Sequence, residues 1–213
     1  MELIDVIKSR RSIRSFSDSE VPRRSIEYCL NAARLAPSGS NAQPWRFLVV
    51  RNPETRARLA EAGFNQPCLE EAPVVTVLLG DRGLYRKRLR RAKELNDIGA
   101  ISDETVTRIQ ARYEKHSEGK ENNDVNIAAN CMLAGDHYVL AAASLGLGTC
   151  WMMLFDKEKA ATAIGLDEKN NFVVALIPTG FPKEEDIAPR PRYGLSKVAM
   201  EETMDSPWRE GEE

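Results

Sequence analysis

The chain is poor in the residues that build metal and thiol sites. Only two histidines, His116 and His137, occur in 213 residues. The four cysteines, Cys29, Cys68, Cys131 and Cys150, include no C-x-x-C pair. Neither a zinc site nor a thioredoxin-like motif is indicated, and no metal ligand is assigned. So few cysteines fit a reducing, cytoplasmic compartment, and the opening MELIDVIKSRR lacks an apolar signal core. A positive surplus is also missing: 30 Lys+Arg stand against 32 Asp+Glu, a net charge of -2. That argues against a nucleic-acid partner. No P-loop occurs, and the glycine pair Gly146/Gly148 follows a helix rather than a strand, so it is no dinucleotide fingerprint. Pro37-Ser38-Gly39 lacks the glycine two residues before the serine that a nucleophile elbow needs. One uncharged run, His137–Phe155, approaches transmembrane length. Gly146 and Gly148 interrupt it, and its character changes there from Ala/Leu to Thr/Cys/Trp. It reads as a buried helix, a turn and a buried strand, and no membrane association is expected.

What remains is an ordinary globular composition, 42% hydrophobic and 29% charged. Apolar spacing predicts a short helix over Leu3–Ser9. A second starts near Pro22 and stops near Ala36, because Pro37 disfavours helix in the residue before it. Phe47–Val50 reads as a strand, Pro53–Ala62 as a helix with Glu54 in its first turn, and the nearly all-apolar Val74–Leu79 as a central strand. From Arg82 to Asp124 the chain is charge-dense, with a basic cluster at Arg86, Lys87, Arg88, Arg90, Arg91 and Lys93. This reads as exposed helices inserted between two core segments, either a solvated face or a lid whose charges meet a substrate. Val125–Leu145 is a long helix, apolar nearly all round and so buried on most sides, with one polar stripe of Asn126, Asn130, His137 and Ser144. Thr149–Leu154 and Phe172–Ile177 complete the strands. Helices segregated from strands, with few βαβ units, favour an α+β class over a doubly wound sheet.

Two segments concentrate polar chemistry. Arg10-Arg11-Ser12-Ile13-Arg14 places three guanidiniums in five residues. Their repulsion is relieved by an anion, and the planar guanidinium fork suits phosphate. Pro37-Ser38-Gly39-Ser40-Asn41-Ala42-Gln43-Pro44-Trp45 is a turn-rich loop between a helix and a strand. Its Ser, Asn and Gln side chains can reach the polar edge of a planar ring, and Gly39 permits close backbone approach. Near the C-terminus, Ala188-Pro189-Arg190-Pro191-Arg192 presents two more guanidiniums on a stiff segment.

Taken in order, RRSIR (10–14), APSGSNAQPWRFLVV (36–50), EEAPVVTVLL (70–79), AASLGLGTCW (142–151) and IPTGFP with APRPR (177–192) resemble the FMN-dependent nitroreductase family. The resemblance covers most of the chain and is weakest over 82–124. It implies one domain spanning 1–213 with a helical lid at about 82–124. The fold implied is a central mixed β-sheet flanked by helices, with a long buried helix, in an intertwined homodimer. It implies non-covalent FMN in each interface groove, and NAD(P)H as electron donor. Arg10, Arg11, Ser12 and Arg14 then match phosphate, ribityl and ring-edge contacts, and Arg190 and Arg192 the basic pair that completes the phosphate site. Pro37, Ser38, Gly39, Ser40 and Asn41 match a loop supplied by the other subunit, with Gln43 beside it. Asn65 matches a pyrimidine-side asparagine. Met153 and Leu154 fall where backbone N–H groups meet the flavin N5–O4 edge; Met153 replaces a frequent acidic residue there.

The activity implied is ping-pong transfer of a hydride from NAD(P)H through FMN to an electron-poor small molecule, such as a nitroaromatic or quinone, with no side-chain acid or base required. Specialised alternatives are reductive dehalogenation and enoate reduction. Against the first, Asp81 and Tyr85 mimic only two of the expected lid residues, and Val106 stands near the expected Lys. Flavin-fragmenting benzimidazole synthases carry Asp where Ser12 stands. A non-catalytic flavin-binding redox sensor, or a partner-binding protein using 82–124, are readings from other classes.

Overall fold

A computed structural model describes residues 2–116, 121–183, 188 and 190–209. Residues 117–120 of the expected lid, and Pro189 of the C-terminal motif, lie outside the described residues. The chain runs α1 (Leu3–Ser9), α2 (Arg23–Ala33), β1 (Trp45–Val50), α3 (Pro53–Ala62), α4 (Pro67–Glu71) and β2 (Val74–Asp81). The segment 82–116 holds α5 (Arg82–Arg86), α6 (Arg88–Asp97) and α7 (Asp103–His116). Then come α8 (Glu121–Ser144), β3 (Gly148–Thr149), α9 (Lys157–Ala163), β4 (Asn171–Gly180) and α10 (Leu195–Val198).

The four-stranded sheet has the order β1-β2-β4-β3. Its ladders are antiparallel; the mixed character is confined to one isolated parallel bridge, Ser12 to Thr149. β2 lies between two strands with every residue buried, which explains its uninterrupted apolar run. Its side chains alternate between two cores. Val75, Val77 and Leu79 join Leu59, Leu69 and Phe155 beneath α3, α4 and α9. Val74 and Leu78 join Ile26, Cys131 and Tyr138 beneath α2 and α8. Tyr138 makes a polar link across that second core, with its hydroxyl 2.9 Å from Thr76 Oγ1 and 3.3 Å from Thr179 Oγ1.

α8 starts four residues before the expected Val125 and runs 24 residues, about 36 Å at 1.5 Å per residue. Asp124 is part of it and pairs with Arg82 at 2.7 Å, bonding the start of the helix to α5. The polar stripe faces inward at two points. Asn130 Oδ1 accepts the Gly39 N–H at 2.9 Å, and His137 Nδ1 lies 3.3 Å from the Ala32 carbonyl of α2. Gly135 is buried in mid-helix because a Cβ there would meet Trp151 at 2.3 Å.

The strand expected over Thr149–Leu154 is shorter. β3 holds two residues, and pairing resumes only at the isolated bridge Met152–Leu176. Pro178 explains the gap. It accepts the Cys150 N–H at 3.2 Å but has no N–H to return to Cys150, so that rung is half made. No membrane-crossing helix is present among the described residues: the apolar run ends with α8 at Ser144, and Gly146 turns the chain with φ +73°.

Candidate functional site

The expected site residues fall into two groups within one chain, with a third on the C-terminal segment. The first group lines the outer edge of β3. After α1 the chain crosses β3 in extended form, and the Ile13 N–H donates to the Thr149 carbonyl at 2.9 Å. Gly148 permits this crossing, because a Cβ there would stand 2.5 Å from Ile13. Arg10, Arg11, Ser12 and Arg14 are thereby fixed beside the start of the 149–154 strip. Arg10 and Arg14 lie close enough to the Cys150 thiol to lower its pKa electrostatically. The strip continues onto α4, where the Glu71 carboxylate accepts the Phe16 N–H and the Ser15 hydroxyl, each at 2.9 Å. These bonds hold the Glu71 carboxyl below its ordinary value.

None of Arg10, Arg11, Arg14, Arg190 or Arg192 is ion-paired to a carboxylate among the described residues. Arg11 Nη1 turns back onto the Lys8 and Arg10 carbonyls, leaving its Nε buried without a hydrogen-bond partner. An orphaned guanidinium nitrogen beside unpaired arginines is the donor set an oxyanion requires.

At the far end of the strip the chain leaves the sheet. Cys150 and Met152 turn their N–H groups to β4, and Thr149 turns its carbonyl outward, so continued alternation turns Met153 outward too. Among the described residues neither Met153 nor Leu154 has a bonded backbone N–H. Both side chains are exposed, at 58% and 79%. Two free amides on a rigid edge are available to a ligand that accepts in a plane.

The second group is the loop 37–43. A single 3-10 turn over Gly39–Asn41 is tied to α8 through Asn130 and to α6 through Arg91 Nε, 3.3 Å from the Asn41 carbonyl. Ser38 Oγ accepts the Gln43 N–H at 3.0 Å, and Gln43 Nε2 donates to Asn41 Oδ1 at 3.0 Å. Pro37 is exposed at the loop's start. Gly39 meets no crowding and spends its N–H on Asn130, so the close approach it allows is on its open side.

Backbone strain collects at the expected residues. Among the described residues, six that are not glycine have positive φ: Ser40, Asn41, Gln43, Phe64, Asn65 and Glu202. Four of these are expected contacts and Phe64 is the neighbour of one. Asn65 follows α3 in the left-handed region and is exposed, with its N–H on the Ala60 carbonyl at 2.8 Å. Strain of this kind costs on the order of 1–3 kcal/mol per residue, and it clusters at ligand sites.

No described bond joins the loop 37–43 to the β3 edge, and none joins Arg190 or Arg192 to Arg10–Arg14. Arg190 is exposed, and Arg192 bonds only the Arg190 and Pro191 carbonyls. Asn130 and Glu71 were not among the expected contacts. Asn130 had a signal in the polar stripe; Glu71 had none beyond its place in the EEAPVV run.

The nitroreductase family model matches residues 7–181. The chain belongs to the nitroreductase family. A curated relative, an NADH dehydrogenase of Thermus thermophilus, is 33% identical over 192 residues, covering 90% of this chain and 91% of that protein. Among solved structures, a nitroreductase family protein of Streptococcus pneumoniae is 26% identical with a TM-score of 0.76, covering 94% of this chain and 100% of that one. A protein of Exiguobacterium sibiricum, solved in complex with FMN, is 27% identical with a TM-score of 0.79, covering 93% and 96%. The α+β architecture of this nitroreductase is that of its structural relatives.

Proposed function

We propose that this nitroreductase is an FMN-dependent NAD(P)H oxidoreductase, working as a homodimer in the cytoplasm. The observation that carries the reading is the set of arginines at the β3 edge with no carboxylate partner among the described residues, one of them with an orphaned buried nitrogen. Arg10, Arg11, Ser12 and Arg14 would hold the FMN phosphate, and Arg190 and Arg192 would complete that phosphate site. Charge-assisted bonds are worth about 1.5–3 kcal/mol each, so several hold the cofactor without a covalent link. Met153 and Leu154 would offer their free N–H groups to the electron-rich edge of the reduced ring, and Asn65 would serve its pyrimidine side. FMN held here would supply the redox chemistry, hydride acceptance from NAD(P)H and electron delivery to an electron-poor acceptor such as a nitroaromatic or a quinone.

The loop 37–43 is supplied by the second subunit. Supporting this, the chain exposes apolar side chains on adjoining elements: Ile4 and Ile7 of α1, Tyr28 of α2, and Val125 and Leu133 of α8. Apolar surface of this extent marks an association face.

The visible spectrum of the purified protein, followed without oxygen after addition of NADH or NADPH, tests the reading. A flavin spectrum that bleaches within seconds is expected, from a species sedimenting as a dimer. A colourless protein that refuses added FMN overturns the cofactor assignment. Bound flavin that neither nucleotide bleaches overturns the enzyme reading in favour of a redox sensor.

A further inference from the structure

Asn130 is a polar residue in the middle of α8. Its neighbours along the helix, Ile127, Cys131 and Ala134, are buried in the core beneath α2 and α8. Asparagine is a poor residue for that place, since its amide competes with the helix for backbone bonds. Here both ends of the amide are engaged. Nδ2 donates to the Asn126 carbonyl one turn earlier, at 2.6 Å, and Oδ1 accepts the Gly39 N–H at 2.9 Å. The partners fix its orientation, because a carbonyl can only accept and a backbone N–H can only donate. The amide is thus held at two points, and it in turn holds Gly39.

The strained turn hangs from that bond. Ser40, Asn41 and Gln43 have φ of 53°, 51° and 47°, a region that residues with a Cβ disfavour. Backbone of this kind persists only where its surroundings hold it. The Asn41 N–H to the Ser38 carbonyl at 2.9 Å, and the Ala42 N–H to the Gly39 carbonyl at 3.1 Å, close the turn on itself. They do not fix it to the body of the protein. Two side chains from other elements do so: Asn130 at Gly39, and Arg91 Nε at the Asn41 carbonyl. The Asn130 bond is the shorter, and it comes from a helix seated in the core. Ser40 lies between the two ties. Its N–H and its hydroxyl bond nothing among the described residues, so the ties aim two free donors.

We propose that Asn130 is a positioning residue for the cofactor: through Gly39 it holds the Ser40 N–H and hydroxyl ready for FMN. The inference rests on the flavin reading above. Asn130 acts through the backbone of the loop 37–43, and the one thing it must supply is an acceptor for the Gly39 N–H. Without that acceptor Gly39 is free to turn, since no atom stands within 4 Å of where its Cβ would be, and Ser40 and Asn41 relax toward negative φ. The bond lies on the solvent side, so water can replace it with little loss of global stability. Cofactor affinity and fold stability should therefore separate at this residue, and affinity should follow the acceptor rather than the shape of the side chain.

The test compares Asn130→Leu, which keeps the shape and loses the acceptor, with Asn130→Asp, which keeps an acceptor, both in the full-length protein. Fluorescence titration reads FMN affinity, and hydrogen exchange followed by NMR reads the Gly39 amide before FMN is added. Asn130→Leu should weaken FMN binding about tenfold, equivalent to about 1.4 kcal/mol. It should speed Gly39 exchange by on the order of tenfold, with a melting temperature within about 2 °C of the wild type. Asn130→Asp should bind FMN within roughly threefold of the wild type. Wild-type affinity in folded Asn130→Leu, equal losses in the two variants, a loss without faster Gly39 exchange, or affinity and melting temperature falling together would each overturn the proposal and leave the flavin reading intact. A wild-type protein that takes up no FMN overturns that reading and this proposal together. If neither variant folds, the wild type decides: its Gly39 amide should be protected relative to the unbonded Ser40 amide, and equal exchange of the two overturns the tie.

Discussion

Two arginine-rich regions of this chain look alike in sequence and differ in the fold. In α5 and α6 the guanidiniums have protein partners. Arg82 forms a double bond pair with Asp124, bonds the Glu168 and Asn171 carbonyls, and lies 4.8 Å from the centre of the Phe172 ring. Arg86 reaches Asn170, Arg88 covers the Tyr85 ring at 4.3 Å, and Arg90 and Arg91 both meet Glu94. In the strip Arg10–Arg14 no guanidinium meets a carboxylate among the described residues. The carboxylate that does reach the strip, Glu71, binds Ser15 and Phe16 instead. The arginines of α5 and α6 are therefore fold-stabilising groups, and under the function proposed above the strip arginines are the ones that bind an anion from outside the chain.

The sharpest break in this comparison is Arg14→Ala combined with Arg190→Ala. Losing two charge-assisted bonds of about 1.5–3 kcal/mol each weakens FMN binding by on the order of 100-fold or more. Flavin fluorescence titration reads the loss, and circular dichroism should show an unchanged fold. Wild-type affinity in the folded double variant would remove these arginines from the phosphate site.

Arg82→Ala should do the reverse. It removes a half-exposed ion pair and two backbone contacts, for a loss of about 1–3 kcal/mol in urea unfolding, with FMN affinity unchanged. A fall in affinity without a fall in stability would mean that the lid arginines are binding groups after all.

The smallest effect lies with Glu71. Its carboxyl is held below the ordinary value by the Phe16 N–H, then by the Ser15 hydroxyl. A depressed folded value means that its contribution is complete above the unfolded value, near 4.5, and disappears as pH falls through the lowered one. Acid unfolding should therefore show a shallow loss of stability below that point. Glu71→Gln should flatten the loss without altering FMN affinity at neutral pH. A change in affinity would show that Glu71 does neutralise Arg14.

The elements were legible wherever burial is one-sided or complete. Val74–Leu79 announced a central strand because both its faces are covered, and α3 announced its start through Pro53 and Glu54. α4 escaped notice because five residues begun by Pro67 carry no period to read. The length of the strand after Gly148 was misread because Pro178, which interrupts it, belongs to another strand. The same limit governs the site. The arginines and the loop 37–43 could be named from residue type and order, but whether a guanidinium has a partner depends on which carboxylates the fold brings near. The left-handed backbone at Ser40, Asn41 and Gln43 was equally hidden, because none of these residues is the glycine that such angles favour.

The early end of β3 bears on how the molecule keeps its own company. An exposed strand edge is a template on which another chain can add itself, and proteins blunt such edges to avoid uncontrolled polymerisation. Here the outer edge offers two paired residues, with Thr149 already stoppered by Ile13, before the chain turns away at Met152. Two amides stay open beyond that turn, enough for a flat ring but too few for an invading strand.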